Sequence, residues 1–508
     1  MTHAIISMND IIQWLRQYAP DAQLSSNSRQ IQPGDVFLAA PGHHSDGRDY
    51  IRHAVGQGAI AVLYEPGNYV WDGALDIPHL AVSGLAREWG MIANHWYQQP
   101  DHSMLTVAVT GTNGKTSCTQ WLAKAFSLNK VTAGVIGTLG NGIYQQGMAG
   151  ELQETGLTTP DAISLQKELR RMQDSGVTAL AIEASSIGLE QGRLNGMHID
   201  IGLFTNLTRD HLDYHGDMAH YGAAKQKLFD WDTLSVAVIN LDDDFGIQLV
   251  QHLRVNRPAV RILAYSLNGA EAEGCEILSA SHCRSGYAGT SFHLESPFGS
   301  GLVKTQLIGR FNVSNILAVL AVLLTREIPF TKALGLIEKL TPVPGRMQLL
   351  GTAGHVMVVV DYAHTPDALE KTLETLGTVA AERGGELWCV FGCGGDRDPG
   401  KRPQMGRVAE MAQHVIVTSD NPRTERPASI IQDILRGMKN PPHVIEDRAN
   451  AILFAIKHAG DHDVVLLAGK GHETYQDING KKWPFSDEEH ASLALATVAT
   501  SGNLKRAN

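Results

Sequence analysis

Leu105-Thr-Val-Ala-Val109 runs directly into Thr110-Gly111-Thr112-Asn113-Gly114-Lys115-Thr116-Ser117, and a helical pattern follows. A β-branched strand, a loop with two glycines and a helix form the setting in which backbone N–H groups and a helix N-terminus cradle phosphate. The glycines let the backbone approach an anion, Lys115 would reach the terminal phosphates, and the Thr116 hydroxyl would ligate Mg2+. The match to the usual phosphate loop is incomplete, because Val109 stands where that pattern has its first glycine. A glycine-rich turn closing a βα unit is the alternative. Strand, glycines, lysine and threonine together favour a nucleotide.

Outward from this unit, short apolar runs at 178–182, 201–205 and 236–239 read as strands with both faces covered by helices. Residues 270–304 are Gly- and Ser-rich with hairpin-like alternation, and 312–324 reads as a buried helix. The strand–helix rhythm returns at 356–360, 387–391, 414–418 and 464–468. The predicted class is α/β in three domains. An N-terminal domain of mixed character spans 1–103, with short apolar segments at 35–40 and 59–64 and a helix near Asn9 that turns Ile11, Ile12 and Leu15 inward. A central phosphate-loop domain with a parallel sheet spans 104–340, and a second α/β domain spans 341–508. The polar stretch 97–103 (YQQPDHS) reads as a linker, and 340–347 (LTPVPGRM) as the second boundary.

Bulk properties narrow the function. The 508 residues exceed one compact core, and 43% hydrophobic with 19% charged residues is ordinary for a soluble protein. A net charge of -11 argues against a nucleic-acid partner. The longest apolar run, 316–324, falls short of the roughly 20 residues that span a bilayer. The N-terminal stretch lacks a basic start, an apolar run and a small-residue cleavage site. Five scattered cysteines without a C-x-x-C pair fit reduced thiols and no structural zinc. A cytoplasmic, monomeric enzyme is expected.

Further motifs follow in order. They are Asn206-Leu-Thr-Arg-Asp-His211, Tyr221-Gly-Ala-Ala-Lys225, Gly309-Arg-Phe-Asn312-Val-Ser-Asn315 and Asp361-Tyr-Ala-His364. Phe391-Gly-Cys-Gly-Gly-Asp-Arg397, Asp420-Asn421-Pro422-Arg423 and Ala468-Gly469-Lys-Gly-His-Glu473 complete the set. Together with the phosphate loop they resemble the Mur ligase family, whose members build the peptide of peptidoglycan and whose central domain is similar to that of folylpolyglutamate synthetases. The resemblance covers essentially the whole chain and is strongest to the third amino-acid-adding, diaminopimelate-type branch. It implies ATP-dependent addition of meso-2,6-diaminopimelate to UDP-MurNAc-L-Ala-D-Glu through an acyl phosphate, releasing ADP and phosphate. Such a step serves cell wall biogenesis, and with it cell shape and division.

The resemblance also implies an N-terminal uridine-nucleotide domain, a central ATPase domain and a C-terminal Rossmann-like domain, and with them residue roles. Gly111 to Ser117 would hold the ATP phosphates, Asn312, Asp361 and His364 the adenine end, and Arg346 the γ-phosphate. Thr116, Glu183, His211 and Lys225 would surround Mg2+, with Lys225 carrying a CO2-derived carbamate. Lys115, Lys225 and His211 would form the catalytic set. Ser28, His43, His44 and Ser45 would bind the uridine diphosphate, and Thr158, Thr159, Ser185, Gln191 and Arg193 the muramoyl-dipeptide. Arg397, Asp420, Asn421, Pro422, Arg423, Gly469 and Glu473 would hold the incoming amino acid. Taken alone, Glu183 reads as a solvated loop carboxylate, His211 as a satisfied core or surface residue and Lys225 as a surface lysine. Two positions depart from the pattern: Ile187 stands for a histidine and Leu157 for a polar residue. A lysine-adding ligase, a folate-polyglutamylating ligase and a non-catalytic nucleotide switch are the rivals. Asp420 to Arg423 argues against lysine, the N-terminal region against folate, and Lys225 with His211 against a switch.

Overall fold

The computed structural model describes residues 6–42, 45–286, 288–351 and 356–506, with side chains described to residue 498. Three sheets of parallel or mixed strands succeed one another along the chain, all flanked by helices.

The first sheet has four parallel strands, with Val36–Ala39 and Ala61–Tyr64 at its centre. Ser7 caps the helix Met8–Tyr18 in a reciprocal box with Asp10, and Ile11, Ile12 and Leu15 are buried as expected. The helix Leu85–Trp96 carries this unit onto the helix Ala162–Asp174 of the next, where Ile163 joins the N-terminal core. The stretch expected to be a polar linker is not one. Pro100–Ser103 is a 3-10 turn, and Asp101 is fully buried. Asp101 accepts hydrogen bonds from Asn94 Nδ2 at 2.9 Å and from the His198 amide, so a polar sequence is paid for by distant donors.

The central sheet has eleven strands, and the phosphate-loop strand Leu105–Thr110 lies between Ala179–Glu183 and Ile201–Phe204. All three are parallel, so Thr110, Glu183 and Phe204 end at the same edge. The Gly- and Ser-rich region forms the strands Glu276–Gly286, Gly289–Ser296 and Gly299–Thr305. The last two pairings are antiparallel and extend the sheet, as expected. The helix Arg310–Thr325 is buried along most of its length and carries Asn312 and Asn315 into the phosphate-loop end of the core.

In the third sheet, Val464–Ala468 lies between Met357–Asp361 and Leu387–Phe391, with His414–Val417 next outward. These strands are parallel, and their C-terminal ends bring together the loops after Asp361, Phe391, Val417 and Ala468, which hold the C-terminal motifs. The helix Asp487–Arg506 is fastened by a fully buried pair, Arg448 Nε and Nη2 donating to Asp487 at 2.7 and 2.6 Å.

Candidate active site

Gly111 and Gly114 both adopt positive φ, 146° and 88°. A Cβ on Gly111 would strike Thr205 Oγ1, and one on Gly114 would strike Asn315 Oδ1, so the loop closes only with glycine at both places. Thr205 Oγ1 donates to Asn113 O at 2.6 Å, and Thr112 N donates to Asn206 O at 2.8 Å. The Asn206 motif is thereby the second wall of the loop. Thr116 and Ser117, on the first turn of the helix Lys115–Leu128, are buried.

Lys115 is half-buried. Its amine folds back to donate to Gly111 O and Thr112 O, both at 2.9 Å. Burial lowers its pKa, partly opposed by Glu183 and Asp210. Lys225, on the helix Met218–Gln226, is only 1% exposed and donates to the same Gly111 O at 2.8 Å, with Tyr221 beneath its amine. Burial, aided by the charge of Lys115, holds Lys225 well below the ordinary lysine value. Glu183 is likewise 1% exposed and accepts from Thr138 N at 2.9 Å and Thr138 Oγ1 at 3.1 Å. The bland readings of Glu183 and Lys225 as solvated side chains therefore do not describe their positions. His211 adopts a left-handed φ of 53°. Burial, countered by Asp210 and reinforced by Lys115, Lys225 and His364, pushes its imidazole down to about 3, which keeps it neutral and leaves a lone pair for a cation.

Thr116, Glu183, His211 and Lys225 fit a Mg2+ site in their chemistry: a hydroxyl, a carboxylate, a neutral imidazole and a residue convertible to a carboxylate. Among the described residues there is no group of three or more His, Cys, Asp or Glu side chains able to hold a metal by themselves, so the fit depends on the threonine and the lysine. The triphosphate fits as well. Arg346 Nη2 donates to Thr116 Oγ1 at 3.3 Å, its guanidinium covers Tyr362, and its buried Nη1 has no hydrogen-bond partner among the described residues. A buried guanidinium N–H without a partner, beside a glycine cradle, suits an oxyanion.

The expected adenine residues are more committed. Asn312 Nδ2 donates to Ile308 O at 2.9 Å. Asp361 accepts from Met347 N and Ala363 N, at 2.7 and 2.8 Å, and thus braces the segment holding Arg346. His364 Nε2 stands 3.5 Å from Asp210 Oδ2 in the central domain.

The expected dipeptide residues are brought together. Thr159 Oγ1 donates to Glu183 O at 2.7 Å and lies 2.9 Å from Ser185 Oγ; Thr158 Oγ1 lies 3.1 Å from Thr138 Oγ1. Arg193 grips Gln191 Oε1 with Nε and Nη2 and donates to Thr159 O at 2.8 Å. A cleft of about 960 Å³ joins Asn27 and Gln30, flanking buried Ser28, to Leu157 beside Thr158. Exposed Leu157 thus presents an apolar side chain to this cleft. Ser45 O accepts from Gly42 N at 2.9 Å, whereas His43 and His44 lie outside the described residues.

In the C-terminal domain, Asn421 Nδ2 donates to Glu473 Oε2 at 2.8 Å, and fully buried Lys470 donates to Asn421 Oδ1 and to Glu473 Oε2. Asp420 Oδ1 accepts from Asn421 N at 2.6 Å, and Gly469 N donates to Asp361 O at 3.1 Å. Pro422 leads into Arg423, whose Nη1 donates to Gly395 O at 2.6 Å. Arg397 lines Gly394 together with Arg423 and Asn421 and is 48% exposed, with Nη1 3.6 Å from Asp213 of the central domain.

Three contributors escaped the sequence reading. Buried Asp210 faces His364, His211 and Lys401, at 3.5, 3.4 and 3.6 Å. Burial opposes its ionisation, yet these groups hold its carboxyl well below the usual range. Lys401 and Lys470 are the others. Asp210 and Lys470 lie inside the sequence motifs and Lys401 four residues beyond Arg397, so proximity to a motif is the available signal. Arg209 adds a bidentate bond to Asp398 at 2.9 and 3.2 Å, and Asn113 Nδ2 donates to Asp367 at 3.0 Å. The phosphate-loop wall and the C-terminal motif loops thus meet directly.

Three family models match in succession: the Mur ligase family catalytic domain over 22–87, the Mur ligase middle domain over 109–323 and the Mur ligase glutamate ligase domain over 345–471. A UDP-N-acetylmuramoyl-L-alanyl-D-glutamate–2,6-diaminopimelate ligase from Janthinobacterium sp. (strain Marseille) is 56% identical over 98% of this chain and 98% of its own. One of the same name from Ralstonia nicotianae is 49% identical over 96% of this chain and 95% of its own. A solved structure of that name matches with a TM-score of 0.66 and 38% identity, covering 94% of each chain. With its phosphate loop, its three successive sheets and these matches along nearly its whole length, the chain belongs to the Mur ligase family.

Proposed function

We propose that this chain joins meso-2,6-diaminopimelate to UDP-MurNAc-L-Ala-D-Glu in the cytoplasm, consuming ATP and releasing ADP and phosphate. The observation that carries the reading is the meeting of two loop sets. The C-terminal loops bearing His364, Arg397 and Lys401 contact Asp210 and Asp213, which flank His211 beside the phosphate loop. An amino acid held by the C-terminal loops therefore faces an activated carboxylate held by the central domain. Among the described residues no helix is long and apolar enough to cross a membrane.

In the first step an oxygen of the dipeptide's terminal carboxylate forms a bond to the γ-phosphorus of ATP, and the bond from that phosphorus to ADP breaks. Lys115, Arg346 and the phosphate-loop amides offset the repulsion between two anions. Thr116, Glu183, His211 and a carbamate on Lys225 would hold Mg2+, which supplies positive charge to the phosphate oxygens when bound. Thr158, Thr159, Ser185, Gln191 and Arg193 fix the carboxylate-bearing end, while Ser28 and Ser45 hold the nucleotide end. In the second step the neutral amine of the incoming amino acid bonds to the acyl carbon, the carbon–oxygen bond to phosphate breaks, and the proton lost from nitrogen ends on the departing phosphate.

Phosphate release from ATP is expected to require both UDP-MurNAc-L-Ala-D-Glu and diaminopimelate, with the tripeptide nucleotide as product. ATP turnover independent of either would point to a nucleotide switch instead.

The dry setting of Lys225 supports the carbamate, since CO2 reacts with a neutral amine and burial favours that form. The added carboxylate would turn a buried amine into a metal ligand. A high-resolution map of the ATP-bound enzyme at adequate CO2 should show three extra atoms on Lys225 Nζ. Lys225→Ala should lose activity and regain part of it with a short carboxylic acid. An unmodified amine under those conditions would refute the modification.

A further inference from the structure

Arg423 is useful for selection only if its guanidinium is aimed, and its φ of 50° is one that a non-glycine residue keeps only with outside support. The support comes from the hairpin Tyr475–Ile478 and Lys481–Pro484. Arg423 N donates to Asp477 O at 2.9 Å, and Asn479 N donates to Arg423 O at 2.8 Å, bridging Arg423 to Ile478. Asp477 N donates to Asn421 Oδ1 and Gln476 Nε2 to Asp420 O, both at 3.0 Å. The whole Asp420–Arg423 turn therefore rests on this hairpin.

One side chain of the hairpin also reaches the guanidinium. Asp477 Oδ2 lies 4.0 Å from Arg423 Nε, while Arg423 Nη1 is fixed on Gly395 O. Arg423 Nη2 has no hydrogen-bond partner among the described residues, and its side chain is 27% exposed. A planar fork fixed at Nη1, with an opposite charge 4.0 Å from Nε, presents its remaining N–H groups in one direction. We propose that Asp477 is a positioning residue for amino-acid selection: its carboxylate holds the Nε side of Arg423 so that the free edge meets the distal carboxylate of the substrate. This rests on the reading of the Asp420–Arg423 turn as the diaminopimelate site. A half-exposed pair at this separation adds little to stability, so its contribution is orientation.

The backbone bonds between Asp477 and the turn do not need the side chain, which makes Asp477→Asn a clean removal of the carboxylate. In the full-length variant, KM for diaminopimelate should rise roughly tenfold, as expected for a misaimed contact. Its preference over lysine should fall in step, with kcat, KM for ATP and Tm unchanged. Arg423→Ala combined with Asp477→Asn should behave as Arg423→Ala alone, because a residue acting through another adds nothing once that one is gone. An unchanged or lowered KM for diaminopimelate in Asp477→Asn, or additive losses in the double variant, would overturn the proposal. If Arg423→Ala changes selection and Asp477→Asn does not, only the role of Asp477 falls. If the unmodified enzyme does not use diaminopimelate, the reading of the site and this role fall together.

Discussion

Arg423→Ala should erase most of a preference for diaminopimelate over lysine that is expected to reach roughly 10,000-fold, because a site built for a polar partner rejects an analogue lacking it by that order. meso-Diaminopimelate ends in a carboxylate and lysine does not. Pro422 fixes its own φ and holds Arg423 on a stiff turn, and the guanidinium spends one N–H on Gly395 O at 2.6 Å. Its remaining donors suit the two oxygens of a carboxylate. With lysine bound, those donors would be covered and unpaired, which is the source of the discrimination. Asn421, Glu473 and Lys470 satisfy one another in a network beside the turn, so their polar groups are not free to pair with the guanidinium. In the variant, kcat/KM for diaminopimelate should fall steeply while that for lysine stays near its already low value. Equal kcat/KM for the two amino acids in the unmodified enzyme would refute the assignment.

The parts legible in the sequence are those governed by local backbone chemistry. The glycines of the phosphate loop, the capped first helix and the apolar parallel strands each announce themselves within a few residues. Because the strands are parallel, their C-terminal loops converge, so the motifs share one edge without further information. What stayed hidden are choices of partner across long separations. Asp101 looks like a linker residue until Asn94 and the His198 amide are seen to satisfy it. Asp210 is one acidic residue in a motif until His364 and Lys401 arrive from the next domain. Arg397 also reaches toward Asp213 of the central domain, a contact that sequence spacing cannot foretell. Burial was hidden for the same reason: Lys225 and Glu183 have the composition of surface residues and the environment of core ones.

Lys115→Ala should lower kcat about 100- to 1,000-fold, the usual loss on removing one electrostatic contact to a developing charge. The amine is tethered by two backbone carbonyls of its own loop, Gly111 O and Thr112 O, and is thus held in place before the phosphate arrives. Preorganisation of this kind removes the cost of reorienting a solvated charge during phosphoryl transfer. The same tether means that the substitution is not silent for the loop. Both carbonyls lose a donor, although Gly111 O retains Lys225 Nζ at 2.8 Å. The loop should nevertheless keep its shape, since the bonds from Thr205 Oγ1 to Asn113 O and from Thr112 N to Asn206 O do not involve Lys115. Loss of a cation from the dry region should also ease the depression of the Lys225 amine, because the Lys115 charge is one of its causes after burial. The decisive measurement is kcat for phosphate release in a Lys115→Ala protein whose thermal unfolding is cooperative. Turnover near that of the unmodified enzyme would remove Lys115 from the phosphoryl-transfer step.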